Sequence, residues 1–513
     1  MIALDGDTLS LEALAAIAFD HEEVTVAPGA LARVDAARAV VDRKAAGEEV
    51  VYGINTGFGS LADVRIPHDQ LRQLQLNLIR SHAAGVGDPL GVAAVRAAMA
   101  LRANVLAKGY SGIRRSTLLR LVDLLNRGVH PVVPSRGSVG ASGDLAPLAH
   151  LALVLVGEGF VLHPPGQPGA TPRPPWMAGA EGLRLAGLDP VTLEAKEGLA
   201  LINGTQPSAA ALALAVHGAE RLARAADLAA ALSVDALRGS IHPFEARIHA
   251  ARPFPGQAAS AANIAALVAG SAINKSHEHC GKVQDAYALR CAAQVHGAAR
   301  DALAFARRTV EIEANAATDN PMVFADANEI VSGGNFHGAP LALAADLVAM
   351  AVTQFATISE RRSDRLLSPA ASGLPPFLTR HGGLESGLML AQVTAAALTS
   401  ELKTLAHPAS VDTIPTSAGK EDHVSMSMAA GLKAMRAVEL ATRVVAIEAL
   451  CAAQALDLLA PLRTSPPLER VHAAIRAVVP PLDADRPPAP DIEAVAQLVA
   501  TGALARACGL ALG

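Results

Sequence analysis

Aromatic residues are scarce in this chain: one Trp, three Tyr and ten Phe make up 3% of 513 residues. A β-sandwich draws on aromatic and β-branched side chains, so this composition argues against one. Alanine and leucine instead carry a hydrophobic fraction of 51%, which favours tightly packed helices. Cysteine is nearly missing as well. Four residues (Cys280, Cys291, Cys451 and Cys508) in so long a chain do not make a disulfide framework, and a reducing compartment fits. Charge is low, at 18% of residues with a net −5 spread along the chain, so no nucleic-acid footprint is visible. Met1 to Glu23 holds acidic residues and no Lys or Arg, unlike the basic start of a signal peptide. The apolar run Leu341 to Ala356 is interrupted by Asp346 and reads as too short to span a bilayer. The expectation is a cytoplasmic protein with no membrane segment and no nucleic-acid partner.

What is present is helical periodicity. Leu11 to Phe19, Gly29 to Ala46, His68 to His82, Gly91 to Lys108, Ile113 to Gly128 and Leu145 to Gly157 read as helices. Four much longer ones follow: Pro207 to Leu237, Val283 to Asn315, Pro340 to Leu367 and Glu421 to Leu459. In the last, Met428, Leu432, Met435, Val438, Ala441, Val444, Ile447, Leu450 and Ala453 recur at spacings of three or four. The fold class is therefore mainly α, a long-helix bundle with few short strands. Small residues on several helix faces suggest assembly between subunits. His163 to Pro175, rich in Pro and Gly, reads as an exposed excursion, and a last helix starts at Asp491 after the Pro-rich stretch 480–490. In chain order the parts are 1–200, 201–460 (the long helices) and 461–513, within a single 1–513 chain.

One stretch carries unusual chemistry: Gly137-Ser138-Val139-Gly140-Ala141-Ser142-Gly143-Asp144-Leu145. Its centre holds the residue types that let a backbone segment cyclise on itself. The Gly143 nitrogen can attack the Ala141 carbonyl carbon, and Ser142 can then lose its hydroxyl as water to leave an exocyclic methylidene. Glycine leaves the attacking nitrogen unobstructed, and alanine crowds the carbonyl little. The product is an electrophile, which ordinary catalytic side chains do not supply. The tripeptide alone is also what a polar loop capping the next helix contains. A phosphate-cradling loop is disfavoured because no Lys-Ser/Thr pair ends the glycines. Pro134, just upstream, cannot sit in a central parallel strand.

Further polar clusters interrupt the Ala/Leu background. They are Tyr52 in its glycine loop up to Gly59, Ser81-His82, Asn203-Gly204-Thr205-Gln206 and Val283-Gln284-Asp285-Ala286-Tyr287-Ala288-Leu289-Arg290, followed by Thr318-Asp319-Asn320-Pro321, Ser332-Gly333-Gly334-Asn335-Phe336-His337 and Thr416-Ser417-Ala418-Gly419-Lys420-Glu421-Asp422-His423. Singly each has a structural reading: Asn203 as a turn residue, His82 as an interior histidine, Arg290 in a surface ion pair, Glu421 as a first-turn carboxylate favoured by a helix dipole. His277-Glu278-His279-Cys280 fits no standard zinc spacing, and no metal is expected.

As an ordered set, these motifs resemble the histidine ammonia-lyases, within the wider group of aromatic amino acid ammonia-lyases and aminomutases, over nearly the whole chain. The resemblance implies the ammonia-lyase (aspartase/fumarase-like) type of long-helix bundle and a homotetramer whose active sites are shared between subunits. It also implies a 4-methylidene-imidazol-5-one (MIO) formed from Ala141, Ser142 and Gly143. Tyr52 matches the base for the β-proton; a free phenol has a pKa of about 10, so such a base needs nearby positive charge. Arg290 matches the clamp on the substrate carboxylate. Asn203, Gln284, Tyr287 and Phe336 match residues around the electrophile and substrate, and His82 and Glu421 match the imidazole end. The implied reaction is deamination of L-histidine to trans-urocanate and ammonia.

Three positions depart from the pattern: Lys420 beside Glu421, with which it could pair, Ala339 before Pro340, and Ala286 in place of a usual proline. They leave open a ring-modified histidine or another aromatic amino acid, handled by a lyase or an aminomutase. A fumarase-like lyase would carry a Gly-Ser-Ser loop followed by Met-Pro and Lys-Asn, which is missing here. A non-enzymatic helical scaffold would be indifferent to Ser142.

Overall fold

The computed structural model describes residues 1–57, 64–163, 176–281 and 283–513. Apart from His163, the stretch read as an exposed excursion lies outside them, as do Phe58 and Gly59 of the Tyr52 cluster. The chain is mainly α-helical, and its described strands are three or four residues long, in two-stranded pairs. The longest helices are Gln206–Ala236, Ala292–Glu313, Ala339–Leu367 and Ser427–Leu458. Two of these differ from the sequence expectation at their starts. Residues 283–286 are not helical: Ala286 is extended, Tyr287–Arg290 forms a single turn, and the long helix resumes at Ala292. Glu421 is not a first-turn residue either, since its helix begins only at Ser427, after Met426 at φ 57°.

Helix Ala339–Leu367 is longer than the apolar run suggests, and by length and composition alone it could cross a membrane. Of its most apolar window, 72% is buried inside the protein, as in the core helix of a bundle.

The chain groups into two compact units, each assembled from separated stretches, so the consecutive parts 1–200, 201–460 and 461–513 do not coincide with them. The first unit comprises 1–214, 307–345 and 408–432. Its centre is helix Val92–Ala107, buried on every side from Ala94 to Ala107. Small alanines let neighbouring helices approach closely, and the polar residues Arg96, Arg102 and Asn104 are buried along with them. A ribbon of Val86–Pro89 and Pro134–Arg136 runs antiparallel and leads directly into the glycine-rich stretch. Pro134 is tolerated because both strands of a two-stranded ribbon are edges.

The second unit comprises 215–306, 346–407 and 433–513. Its helices are tied by buried charge. Arg362 forks onto Glu448, both fully buried, and Ser233 Oγ donates to Glu448 at 2.7 Å. Asp227 accepts from His296 Nδ1 at 2.7 Å, Arg300 at 2.5 Å, Ser260 at 2.6 Å and Asn263 at 2.9 Å. Burial alone would raise the Asp227 carboxyl; the Arg300 charge and the donors outweigh it and bring the pKa to about 2. Because that lies below the ordinary 3.8, the stabilisation is complete above the ordinary value and is lost as pH falls toward about 2. Asp227→Asn is expected to cost roughly 3 kcal/mol in denaturant unfolding at neutral pH, because Arg300 keeps its charge and loses its partner. The same variant should flatten the acid limb of the stability profile.

Candidate functional site

The stretch 137–144 bridges strand Pro134–Arg136 and helix Leu145–Leu155. It turns sharply through left-handed glycines, Gly140 at φ 66° and Gly143 at φ 71°. The space there is as restrictive as the backbone. A β-carbon on Gly143 would overlap the Gly204 carbonyl, and one on Gly140 would overlap the hydroxyls of Ser425 and Ser427. Gly143 and Gly204 pair as a parallel bridge, with Asp144 N donating to Gly204 O at 2.8 Å. Ser425 Oγ donates to Gly140 O at 2.9 Å and Met426 N to Val139 O at 2.8 Å. Asp144 locks the next turn. Its buried carboxylate accepts from Ser138 Oγ at 2.6 Å, Ser208 N at 2.8 Å and Ser208 Oγ at 3.0 Å. Burial holds its pKa above the ordinary carboxylate value against those hydrogen bonds.

Ser142 is half-buried between two predicted site residues. Its Oγ donates to Glu421 Oε1 at 2.6 Å, and its carbonyl oxygen accepts from Asn203 Nδ2 at 3.3 Å. The second oxygen of Glu421 accepts from Thr416 Oγ1 at 2.5 Å, and a backbone pair joins residues 416 and 421. Asn203 follows helix Glu197–Ile202 as its C-terminal cap, which aims its amide at the tripeptide.

The turn at 200–206 is pinned from beneath by Arg102. That guanidinium donates to Asn203 O at 2.9 Å, Gln206 Oε1 at 2.7 Å and Ala200 O. Burial lowers its pKa to about 10, and the Asp319 charge opposes the shift. Asp319 also pairs with Lys196 at 3.4 Å, both fully buried. Burial lowers the Lys196 pKa, opposed by Asp319. Sequence reasoning gave no role to Arg102, Lys196, Thr416 or Ser208, although Thr416 opens the polar cluster that holds Glu421. Arg102 had a signal, since it is an arginine inside an Ala/Leu run that reads as buried.

Other predicted site residues lie elsewhere. Within the first unit, Tyr52 occupies the turn Val51–Asn55, half-buried, and His82 ends helix Leu71–His82 with Nδ1 at 2.8 Å from Leu78 O. Phe336 follows the hairpin of Met322–Phe324 and Glu329–Val331. Its neighbour His337 stacks on His423 at 5.9 Å and bonds His423 O at 3.1 Å, which joins the Phe336 loop to the Glu421 loop. Gln284, Tyr287 and Arg290 belong to the second unit. There the Arg290 guanidinium lies over the Tyr287 ring at 4.7 Å, and its buried Nε has no partner among the described residues. Lys420 is exposed and makes no ion pair with Glu421 among the described residues; the carboxylate is taken by Ser142 and Thr416.

The family model for aromatic amino acid lyases matches residues 9–477. A histidine ammonia-lyase of Anaeromyxobacter sp. (strain K) is 58% identical over 505 residues, 98% of this chain and 99% of that protein. Among solved structures, histidine ammonia-lyase from Trypanosoma cruzi superposes with a TM-score of 0.91 at 44% identity, over 99% of this chain and 95% of the other. Tyrosine aminomutase from Streptomyces globisporus gives 0.93 at 38% identity, with both chains fully covered. With a match this long, the chain belongs to the aromatic amino acid lyase family.

Proposed function

We propose that the chain deaminates L-histidine to trans-urocanate and ammonia, using an MIO electrophile formed from Ala141, Ser142 and Gly143. The observation that carries this reading is the hold on Ser142: carboxylate on its hydroxyl, amide on its carbonyl, and a flanking Gly143 with no room for a β-carbon. These residues fit the cyclised group, since Gly143 puts no β-carbon beside the attacking nitrogen and the space around it excludes one. When formed, the group supplies an electrophilic methylidene carbon to the amine of the substrate.

The chain's own residues do the rest. Asn203 Nδ2 donates to Ser142 O, the oxygen toward which electron density moves, and so acts as a preorganised donor. Arg290 takes the substrate carboxylate; its buried, unpartnered Nε is a donor that such an anion satisfies. Tyr52 accepts the β-proton. His82 and Glu421 hold the two imidazole nitrogens, and Gln284, Tyr287 and Phe336 line the substrate. Arg290, Gln284 and Tyr287 reach this site in a homotetramer, contributed by a neighbouring subunit. The reaction runs in the cytoplasm, where the four free thiols remain reduced.

A second reading is an aminomutase or a lyase for another aromatic amino acid. Its support is the likeness to the tyrosine aminomutase, but the 58% identity to a histidine ammonia-lyase favours histidine. Incubation with L-histidine, L-tyrosine and L-phenylalanine separately should give acrylate absorbance with histidine alone. Turnover of tyrosine or phenylalanine without histidine would overturn the substrate assignment, and a β-amino acid product would favour the aminomutase. Ser142→Ala should abolish both turnover and the near-UV absorbance of the purified protein.

Asn203→Ala is expected to lower kcat by about 10²-fold with a smaller change in KM, the size of effect seen when one preorganised donor is removed. Subunit sharing makes a sharper prediction. Ser142→Ala and Arg290→Met chains, each inactive alone, should regain part of the activity when co-assembled, as measured by urocanate formation. Mixed tetramers that stay inactive would place each site within one subunit.

A further inference from the structure

The group that must leave during maturation is already engaged in the uncyclised chain. Ser142 Oγ donates to Glu421 Oε1 at 2.6 Å, and Thr416 Oγ1 fixes the other carboxylate oxygen at 2.5 Å. The backbone bond from Thr416 N to Glu421 O at 3.0 Å holds this turn in register. Hydroxide is a poor leaving group, so the Cβ–Oγ bond breaks readily only if a proton reaches Oγ as it breaks. The neighbouring acid Asp144 is committed elsewhere, with Ser138 and Ser208 donating to it. The Asn203 amide faces the carbonyl of Ser142. Glu421 is the acid in contact with the departing oxygen.

We propose that Glu421 carries the proton for the Ser142 dehydration that completes the electrophile, in addition to binding substrate. This rests on the methylidene reading above. Ring closure comes first: Gly143 N gives up its proton and bonds to Ala141 C. The Ala141 oxygen departs as one water with that proton and the Ser142 N–H proton, leaving a double bond between Ala141 C and Ser142 N. The Ser142 Cα–H bond then breaks, and its proton passes through solvent to the Glu421 carboxylate. The electron pair left on Cα forms the Cα=Cβ bond. The Cβ–Oγ bond breaks, and Oγ takes the proton from Glu421 Oε1 and leaves as the second water. The carboxylate is regenerated, and no oxidant or reductant is involved. Dehydration removes the donor that occupies Oε1 in the precursor, so the carboxylate becomes available to an imidazole N–H only when the electrophile exists.

The test is the mass of the proteolytic peptide spanning 141–143, followed over time after synthesis of the full chain. Only folded protein, judged by helical circular dichroism, is compared. Wild type should become lighter by two waters, and Ser142→Ala by one at most. Glu421→Gln should lag by about a hundredfold in reaching the doubly dehydrated mass, the range expected for loss of a positioned acid. It should accumulate peptide that retains the serine hydroxyl. Glu421→Asp, which keeps an acid on a shorter stem, should recover part of the rate. If Glu421→Gln loses both waters as fast as wild type, the proposal is overturned while the electrophile stands. A wild-type peptide that keeps its full mass in active enzyme would overturn the electrophile itself, and this proposal with it.

Discussion

Gly143 and Gly204 lie so close that a β-carbon on Gly143 would overlap the Gly204 carbonyl, while one on Gly204 would overlap the Arg102 guanidinium and the Gln206 amide. The contact is held by Asp144 N on Gly204 O, and it ties the tripeptide to the turn that carries Asn203. The Asn203 contact with Ser142 depends on this approach. A bulkier residue at 143 would push the two loops apart, and one at 204 would displace the Arg102 fork that pins the turn; either way the Asn203 amide would no longer reach the Ser142 carbonyl. The left-handed φ at Gly143 adds a second reason for glycine, since other residues adopt it only with strain.

Beneath that contact, the first unit concentrates buried charge. Arg102, Lys196, Asp319 and Asp144 all lie in an environment built largely from alanine and leucine. Such charges persist only when paired and hydrogen-bonded. Their value here is positional: Arg102 reaches three acceptors in the 200–206 turn, and a guanidinium fork tolerates little displacement. The second unit uses the same device at Asp227 and at Arg362 with Glu448, where no predicted site residue takes part. Unmet polar atoms mark the complementary case. Asn203 Oδ1 and Arg290 Nε are buried without partners among the described residues, and both belong to residues assigned to substrate or electrophile.

Much of this was legible in the sequence, for different reasons at different residues. The helices Leu11–Phe19 and Ala339–Leu367 follow from apolar periodicity, which is local. Ser142, Asn203 and Glu421 stood out because polar clusters are conspicuous in an Ala/Leu background, and the structure brings these three together. Other features were not legible. The helix start at Ser427 in place of Glu421 is set by bonds from Ser425 and Met426 to the tripeptide loop, which lies far away in sequence. Thr416 opens the polar cluster that holds Glu421, but its bond to the carboxylate exists only because the turn closes over five residues. Lys420, adjacent to Glu421 in sequence, points to solvent, because neighbours in an irregular loop need not share a face.

By itself, then, the sequence determined the mainly helical class and the chemical capacity of Ala141-Ser142-Gly143, because both reside in residue type and short-range spacing. Tertiary structure alone decided which acid meets the Ser142 hydroxyl, which amide meets its carbonyl, and which buried cation fixes the turn between them. Those choices depend on separate chain segments approaching within hydrogen-bonding distance. A one-dimensional pattern carries no measure of that distance.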